Sequence, residues 1–175
     1  EDGKLQVEVE INSYKKDLKT LHSRPDTFLL DMQLVDASNK EIYSESAREA
    51  VLGRYIKNVK FEKTIPNVKT WSAEIPYLYT LYLTLKDRKG EVLEVVPVRV
   101  GFRSIEIKGR DFLVNGKRVF FKGVNRHEHN PVTGHTLTKD DMLKDMEMMK
   151  KLNVNAVRHS HYPPSPYWME LCDEY

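Results

Sequence analysis

The chain has 175 residues, of which 40% are apolar and 31% charged, and its formal net charge is +2. That balance allows a sizeable core and excludes the charge surplus of a dedicated nucleic-acid binder, and no run reaches the ~20 apolar residues of a membrane helix. The lone Cys172 rules out an internal disulfide and leaves the compartment open.

From residue 4 to about 103 the sequence reads as strands. Leu5, Val7, Val9 and Ile11 alternate with polar residues, and the opening EDGKLQ has no apolar run of the signal-peptide kind. Tyr14 to Arg24 reads as a loop or a poor edge, and Lys15-Lys16, like Lys150-Lys151, as a solvated face rather than a basic patch. Phe28, Leu30, Met32 and Leu34 share one face, with Asp31 and Gln33 opposite. Ala47 to Lys57 is ambiguous. Val59, Phe61 and Ile65 resume the period-two habit; Tyr79, Leu81, Leu83 and Leu85 repeat it, and Glu91 to Val100 is rich in β-formers. With turn signals at Ser38-Asn39 and Lys89-Gly90, these strands predict an antiparallel β-sandwich.

The pattern changes after Gly101. Phe112-Leu113-Val114, Asn115-Gly116 and Val119-Phe120-Phe121 predict a hairpin, since Asn-Gly tolerates the positive φ of a type I′ turn. Thr138 and Asp141 suggest a capping box opening a helix, although Glu or Gln is the usual partner. That helix carries Met142, Leu143, Met146, Met149 and Leu152 at helical spacing, a stripe read as core. Val154 to Val157 predicts a short strand, and Pro164 the first turn of a second helix with Trp168, Leu171 and Cys172. Strand, helix, strand, helix is the order of a parallel β/α layout. The chain runs to Asp173-Glu174-Tyr175 without a helix terminator, so it is expected to be a piece of a longer protein.

Five of the six histidines lie between positions 127 and 161. Four of them fall in Asn125-Arg126-His127-Glu128-His129 and in Arg158-His159-Ser160-His161, each after an apolar strand. Parallel strands deliver their C-terminal ends to one side, where ligands bind, so the two clusters are expected to meet. The histidines then have three readings: hydrogen-bonding groups for a polar ligand such as a sugar, two His-x-His metal pairs, or structural residues satisfied by nearby backbone. Glu128 alone is not a glycosidase carboxylate pair, and Ser160 is not in a Gly-x-Ser-x-Gly elbow.

Four stretches carry a resemblance: "WSAEIPYLY", "GFRSIEI", "FLVNGKRVFFKGVNRHEHNP" and "NVNAVRHSHYPPSPYWMELCDEY". They resemble glycoside hydrolase family 2, most of all its β-galactosidase branch, well over residues 58–175 and by order and pattern before that. The resemblance implies a mainly β chain, with an immunoglobulin-like sandwich over 1–103 and, over 104–175, the first two β/α units of an incomplete (β/α)₈ TIM barrel. It implies a parent that hydrolyses terminal β-D-galactosides with retention. By the same resemblance His127 and His161 contact the sugar and help stabilise the transition state. Arg158 supports the nucleophile end of the pocket, and Asn125 and Arg126 are substrate-binding. Arg126 and His129 favour galactoside over glucuronide, where a lysine and an acidic residue are common in this stretch. His159 departs from the family's usual small residue and is given no catalytic role. Both catalytic glutamates, and the ligands of Mg²⁺ and Na⁺, are implied to lie beyond Tyr175, so this chain alone is expected to be inactive. The alternatives are a β-glucuronidase and a non-catalytic sandwich module. Among partners the reading expects a β-galactoside, no nucleic acid, no membrane, and self-association through exposed barrel strands.

Overall fold

A computed structural model describes residues 2–12, 26–51 and 56–175, which include thirteen regular elements. They are β1 (Gly3–Asn12), β2 (Asp26–Val35), β3 (Glu41–Val51), β4 (Ile56–Ile65), β5 (Tyr79–Lys86), β6 (Val92–Val100), β7 (Ile105–Lys108), β8 (Asp111–Val114), β9 (Lys117–Arg118), β10 (Gly123–Arg126), α1 (Lys139–Lys151), β11 (Ala156–His159) and α2 (Pro166–Glu174). The expected loop at Tyr14 to Arg24, with Lys15-Lys16, lies outside the described residues. So do residues 52–55 of the ambiguous stretch, whose flanks are strand. The chain forms two compact units, Glu1–Lys69 with Leu78–Phe102, and Thr70–Tyr77 with Arg103–Tyr175.

The first unit is all antiparallel. One sheet has the order β3-β2-β5-β6, and β1 pairs with β4 in a second. Alternation sets which side chains meet. On β2, Leu30, Met32 and Leu34 are buried while Phe28 is half-buried, and Leu34 stands opposite Leu81 of β5. Leu5 and Ile11 of β1 and Val59, Phe61 and Ile65 of β4 complete this core. Each such side chain contributes about 1.5–3 kcal/mol by leaving water. The other face of β2 is polar: Ser46 donates to Asp31 at 2.6 Å, and Lys86 lies 2.6 Å from the same carboxylate. The hydrogen bonds from Lys86 and then Ser46 hold the Asp31 carboxyl below its ordinary range. Gly3 is required where it stands, since a Cβ there would sit 2.5 Å from the Phe102 ring.

The hairpins use one device twice. Asp36 Oδ1 accepts from the amides of Ser38 and Lys40 at 2.8 and 3.0 Å, and Asp87 Oδ1 from those of Lys89 and Glu91 at 2.8 and 2.9 Å. Asn39 and Gly90 take the positive φ each turn needs.

The second unit begins with a three-stranded antiparallel sheet, β7-β8-β9. Asn115 and Gly116 both have positive φ, as the type I′ reading requires. The expected strand at Val119-Phe120-Phe121 does not form. β9 stops at Arg118, Val119 adds one bond to Phe112 O at 2.9 Å, and Phe121 turns to pack on the Phe112 ring at 4.9 Å. Asn115 also accepts from Ser104 N at 2.9 Å and donates to Trp71 O at 3.0 Å. Trp71 Nε1 in turn donates to Asp173 O at 2.6 Å, giving the end of α2 an acceptor's partner.

β10 and β11 pair in parallel, with α1 between them in sequence. The capping box forms with Asp141 in place of Glu or Gln: Asp141 N donates to Thr138 Oγ1 at 3.2 Å, and Thr138 N to Asp141 Oδ2 at 3.0 Å. The stripe is core, as read: Met142, Met146, Trp168 and Leu171 are buried together, with Leu143 and Met149 beside them, although Leu152 is exposed. Two expected boundaries move. The strand is Ala156–His159 rather than Val154–Val157, because Val154 N closes the end of α1 on Met149 O at 2.9 Å. The proline in the first turn of α2 is Pro166, not Pro164.

Candidate functional site

Parallel pairing aligns the two clusters residue by residue. Asn125 lies opposite Arg158 and Arg126 opposite His159. Asn155 sets this register. Its Oδ1 accepts from Lys122 N at 2.8 Å and its Nδ2 donates to Phe120 O at 2.8 Å, so the strands are joined before the ladder starts. Gly123 allows the close approach, as a Cβ there would lie 3.2 Å from Ala156 O.

Side chains alternate along each strand, so the two pairs occupy opposite faces. Arg126 and His159 face the helices. Arg126 is 4% exposed, its guanidinium lies 3.7 Å from the centre of the Trp168 ring, and its Nε donates to Asp145 Oδ2 at 2.9 Å. Its two terminal nitrogens make no hydrogen bond among the described residues, and the nearest carboxylate, Glu128, is 3.8 Å from Nη1. Both ring nitrogens of His159 are likewise buried without a partner. Burial, with lesser contributions from nearby charges, keeps its pKa below the ordinary imidazole value. Such a histidine is a neutral packing residue. Asn125 and Arg158 are exposed on the other face, where Arg158 Nη1 reaches Ser160 Oγ at 3.3 Å.

Past the strand ends the histidines converge as expected. The His127 and His161 rings stand 5.8 Å apart, edge to face, and both residues are exposed. Ser160 is 1% exposed and donates its amide to Arg126 O at 2.9 Å, which extends the pairing by one residue before the chain turns to His161. Tyr162 is the hub. Its ring lies 6.1 Å from His127, 5.6 Å from His159 and 6.0 Å from His135. His135, in neither cluster, joins the group, 5.8 Å from His129 and with Nδ1 2.8 Å from Glu128 O. Sequence reasoning passed over Tyr162, His135 and Asn155, and the available signal was their position just beside the two clusters.

Glu128 is engaged elsewhere. Its Oε1 accepts from Ser165 N at 2.9 Å, at the start of α2. Among the described residues no three His, Cys, Asp or Glu side chains gather as a metal set. The arrangement offers two exposed imidazoles, an amide and a guanidinium, a group suited to hydrogen-bonding a polyhydroxylated ligand.

Comparisons with known proteins agree on one family. The profile described as glycosyl hydrolases family 2 matches residues 1–103, and that of the same family's TIM barrel domain matches residues 105–175. A β-galactosidase of Halalkalibacterium halodurans is 57% identical over 105 residues, covering 60% of this chain and 10% of its own length. A β-galactosidase of Priestia megaterium is 40% identical over 177 residues, covering 100% of this chain and 16% of its own length. The crystal structure of a Bacteroides uniformis β-glucuronidase superposes with a TM-score of 0.91 at 22% identity, over 99% of this chain and 20% of its own. That likeness speaks to the fold, an immunoglobulin-like sandwich followed by the start of a TIM barrel.

Proposed function

We propose, from the premise that this chain belongs to glycosyl hydrolases family 2, that its parent enzyme hydrolyses terminal β-D-galactosides with retention. The observation that carries the reading is the meeting of His127 and His161 at the ends of two parallel barrel strands, with Asn125 and Arg158 on the open face beside them. Galactoside is favoured over glucuronide because the sequence relatives described above are β-galactosidases, at 57% and 40% identity. The structural likeness to a β-glucuronidase keeps that alternative in the test.

Retaining hydrolysis needs two carboxyl groups ~5 Å apart, one as acid/base and one as nucleophile. Glu128 is committed to Ser165. The resemblance to the family implies that both catalytic glutamates belong to later strands of the parent, and the 175-residue chain alone is expected to be inactive. In this scheme His127 and His161 hydrogen-bond sugar hydroxyls, and bonds in which the hydroxyl donates to a ring nitrogen strengthen as positive charge develops at the anomeric carbon. Arg158 orients the nucleophile. Arg126 acts from behind the strand, holding Trp168 and Asp145 rather than the sugar. The Mg²⁺ and Na⁺ implied by the resemblance are assigned ligands elsewhere in the parent, and no step here runs through them.

The test is the ratio of kcat/KM for a chromogenic β-D-galactoside to that for the matching β-D-glucuronide, measured on the full-length enzyme. A ratio well above one supports the reading. Preference for the glucuronide overturns the substrate, and hydrolysis of neither overturns the activity.

A further inference from the structure

We propose that Tyr162 is a positioning residue for His127, acting through the main chain of Glu128. The proposal rests on the reading of His127 as a sugar contact. Glu128 is the residue after His127, and it is held at three points. Its amide donates to the Tyr162 hydroxyl at 2.8 Å, and that hydroxyl donates back to Glu128 O at 3.4 Å. A phenol accepts one hydrogen bond while donating another, so both contacts are available at once. The same carbonyl meets His135 Nδ1 at 2.8 Å, and Glu128 Oε1 meets Ser165 N at 2.9 Å.

Two of the three clamping residues, Tyr162 and Ser165, lie on the chain that follows β11. His127 and Glu128 lie on the chain that follows β10. Glu128 is thus where the two loops are joined, and the joint sits one residue from the imidazole that must face His161 across 5.8 Å. The last bond of the ladder runs from Ser160 N to Arg126 O, so beyond it the ladder no longer fixes how far apart the loops stand. The Tyr162 hydroxyl takes over that task, and its ring, against His127 and His159, limits rotation of the loop. A misplacement of about 1 Å at a group that binds the transition state can lower turnover by ~10²-fold, so a single hydroxyl here has leverage.

The test is a double-mutant cycle in the full-length enzyme, on whichever glycoside it turns over faster. Tyr162→Phe keeps the ring and removes the clamp. It is expected to lower kcat by about 10-fold with KM within about 2-fold, and to speed exchange of the Glu128 amide by about 10-fold or more. His127→Ala with Tyr162→Phe should be no slower than His127→Ala alone, because a clamp has nothing to position once the imidazole is gone. Losses that multiply, or unchanged kcat in Tyr162→Phe, overturn the proposal. Unchanged kcat in His127→Ala overturns the reading of His127 beneath it, and that single variant keeps the two failures apart.

Discussion

The two units bury their apolar residues by different means. In the first, strands do the work: β1 and β4 pair over ten residues, β2 and β5 over seven, and alternate side chains from both sheets make the core. In the second, the paired strands β10 and β11 are four residues each, and the buried residues Met142, Met146, Trp168 and Leu171 come from the two helices. The edges differ as well. Pro97 stands opposite Tyr82 in β6 and has no amide to give, so it must occupy a position whose N–H points away from β5, interrupting the free edge. β10 and β11 carry no such guard, and Phe120 and Phe121 beside them are 65% and 63% exposed. A sheet that ends in a proline is built to stay an edge. A parallel pair with bare edges is built to be continued, as a barrel requires. The histidines sit on the unit that is built to be continued.

The sharpest way to break this comparison is Trp168→Ala. It removes the largest buried side chain of the helical core and the ring over which Arg126 lies. The expected cost is about 3–5 kcal/mol, confined to the second unit. Hydrogen exchange on the 175-residue chain should show lost protection across 139–174 and unchanged protection across 26–35 and 79–86. Equal loss in both would mean that the units do not fold as separate cores.

A smaller effect is expected from Thr138→Ala, which removes one half of the capping box. Losing that cap should cost about 1 kcal/mol and speed exchange at the start of α1 only.

Smallest is a difference in pH response. His159 has a folded pKa below its unfolded value of ~6.5, so the folded unit binds fewer protons there. Its contribution is present above that pH and is lost as pH falls through ~6.5 toward the folded value. Asp31, also lowered, contributes above its unfolded value of ~3.8 and loses that only in stronger acid. Both tryptophans, Trp71 and Trp168, belong to the second unit, so fluorescence reports that unit. Its urea midpoint should fall between pH 7 and pH 5.5, and His159→Phe should flatten the trend. An unchanged midpoint in the parent chain would remove His159 as the sensitive group.

What the sequence made legible follows the same division. Strands with one wet face announce themselves by alternation, so Leu30, Met32, Leu34, Val59 and Phe61 were identified as a buried set from spacing alone. The helical stripe and the Thr138 cap were legible for the same local reason. The boundaries that moved were set by non-local bonds. Val154 belongs to the end of α1 through Met149, Phe121 leaves its expected strand for the Phe112 ring, and Phe120 lies under the Arg118 guanidinium. At the site, parallel order predicted that the histidine clusters would meet. It did not reveal which residues turn toward the helices, because a four-residue strand is too short to show its own period, so the inward turn of Arg126 and His159 needed the structure. Tyr162 escaped notice because its role depends on a backbone atom 34 residues away.

The measurement that bears most directly on the account compares three histidine variants in the full-length enzyme on its preferred glycoside. His127→Ala and His161→Ala should each lower turnover by about 10²-fold or more, the loss of a transition-state hydrogen bond worth ~3 kcal/mol. His159→Ala, whose ring nitrogens are buried on the helix side, should cost far less in turnover and show mainly as lost stability. If His159→Ala proves the most damaging to turnover, the facing pair His127 and His161 is not the sugar-binding centre, and the assignment of this site is wrong.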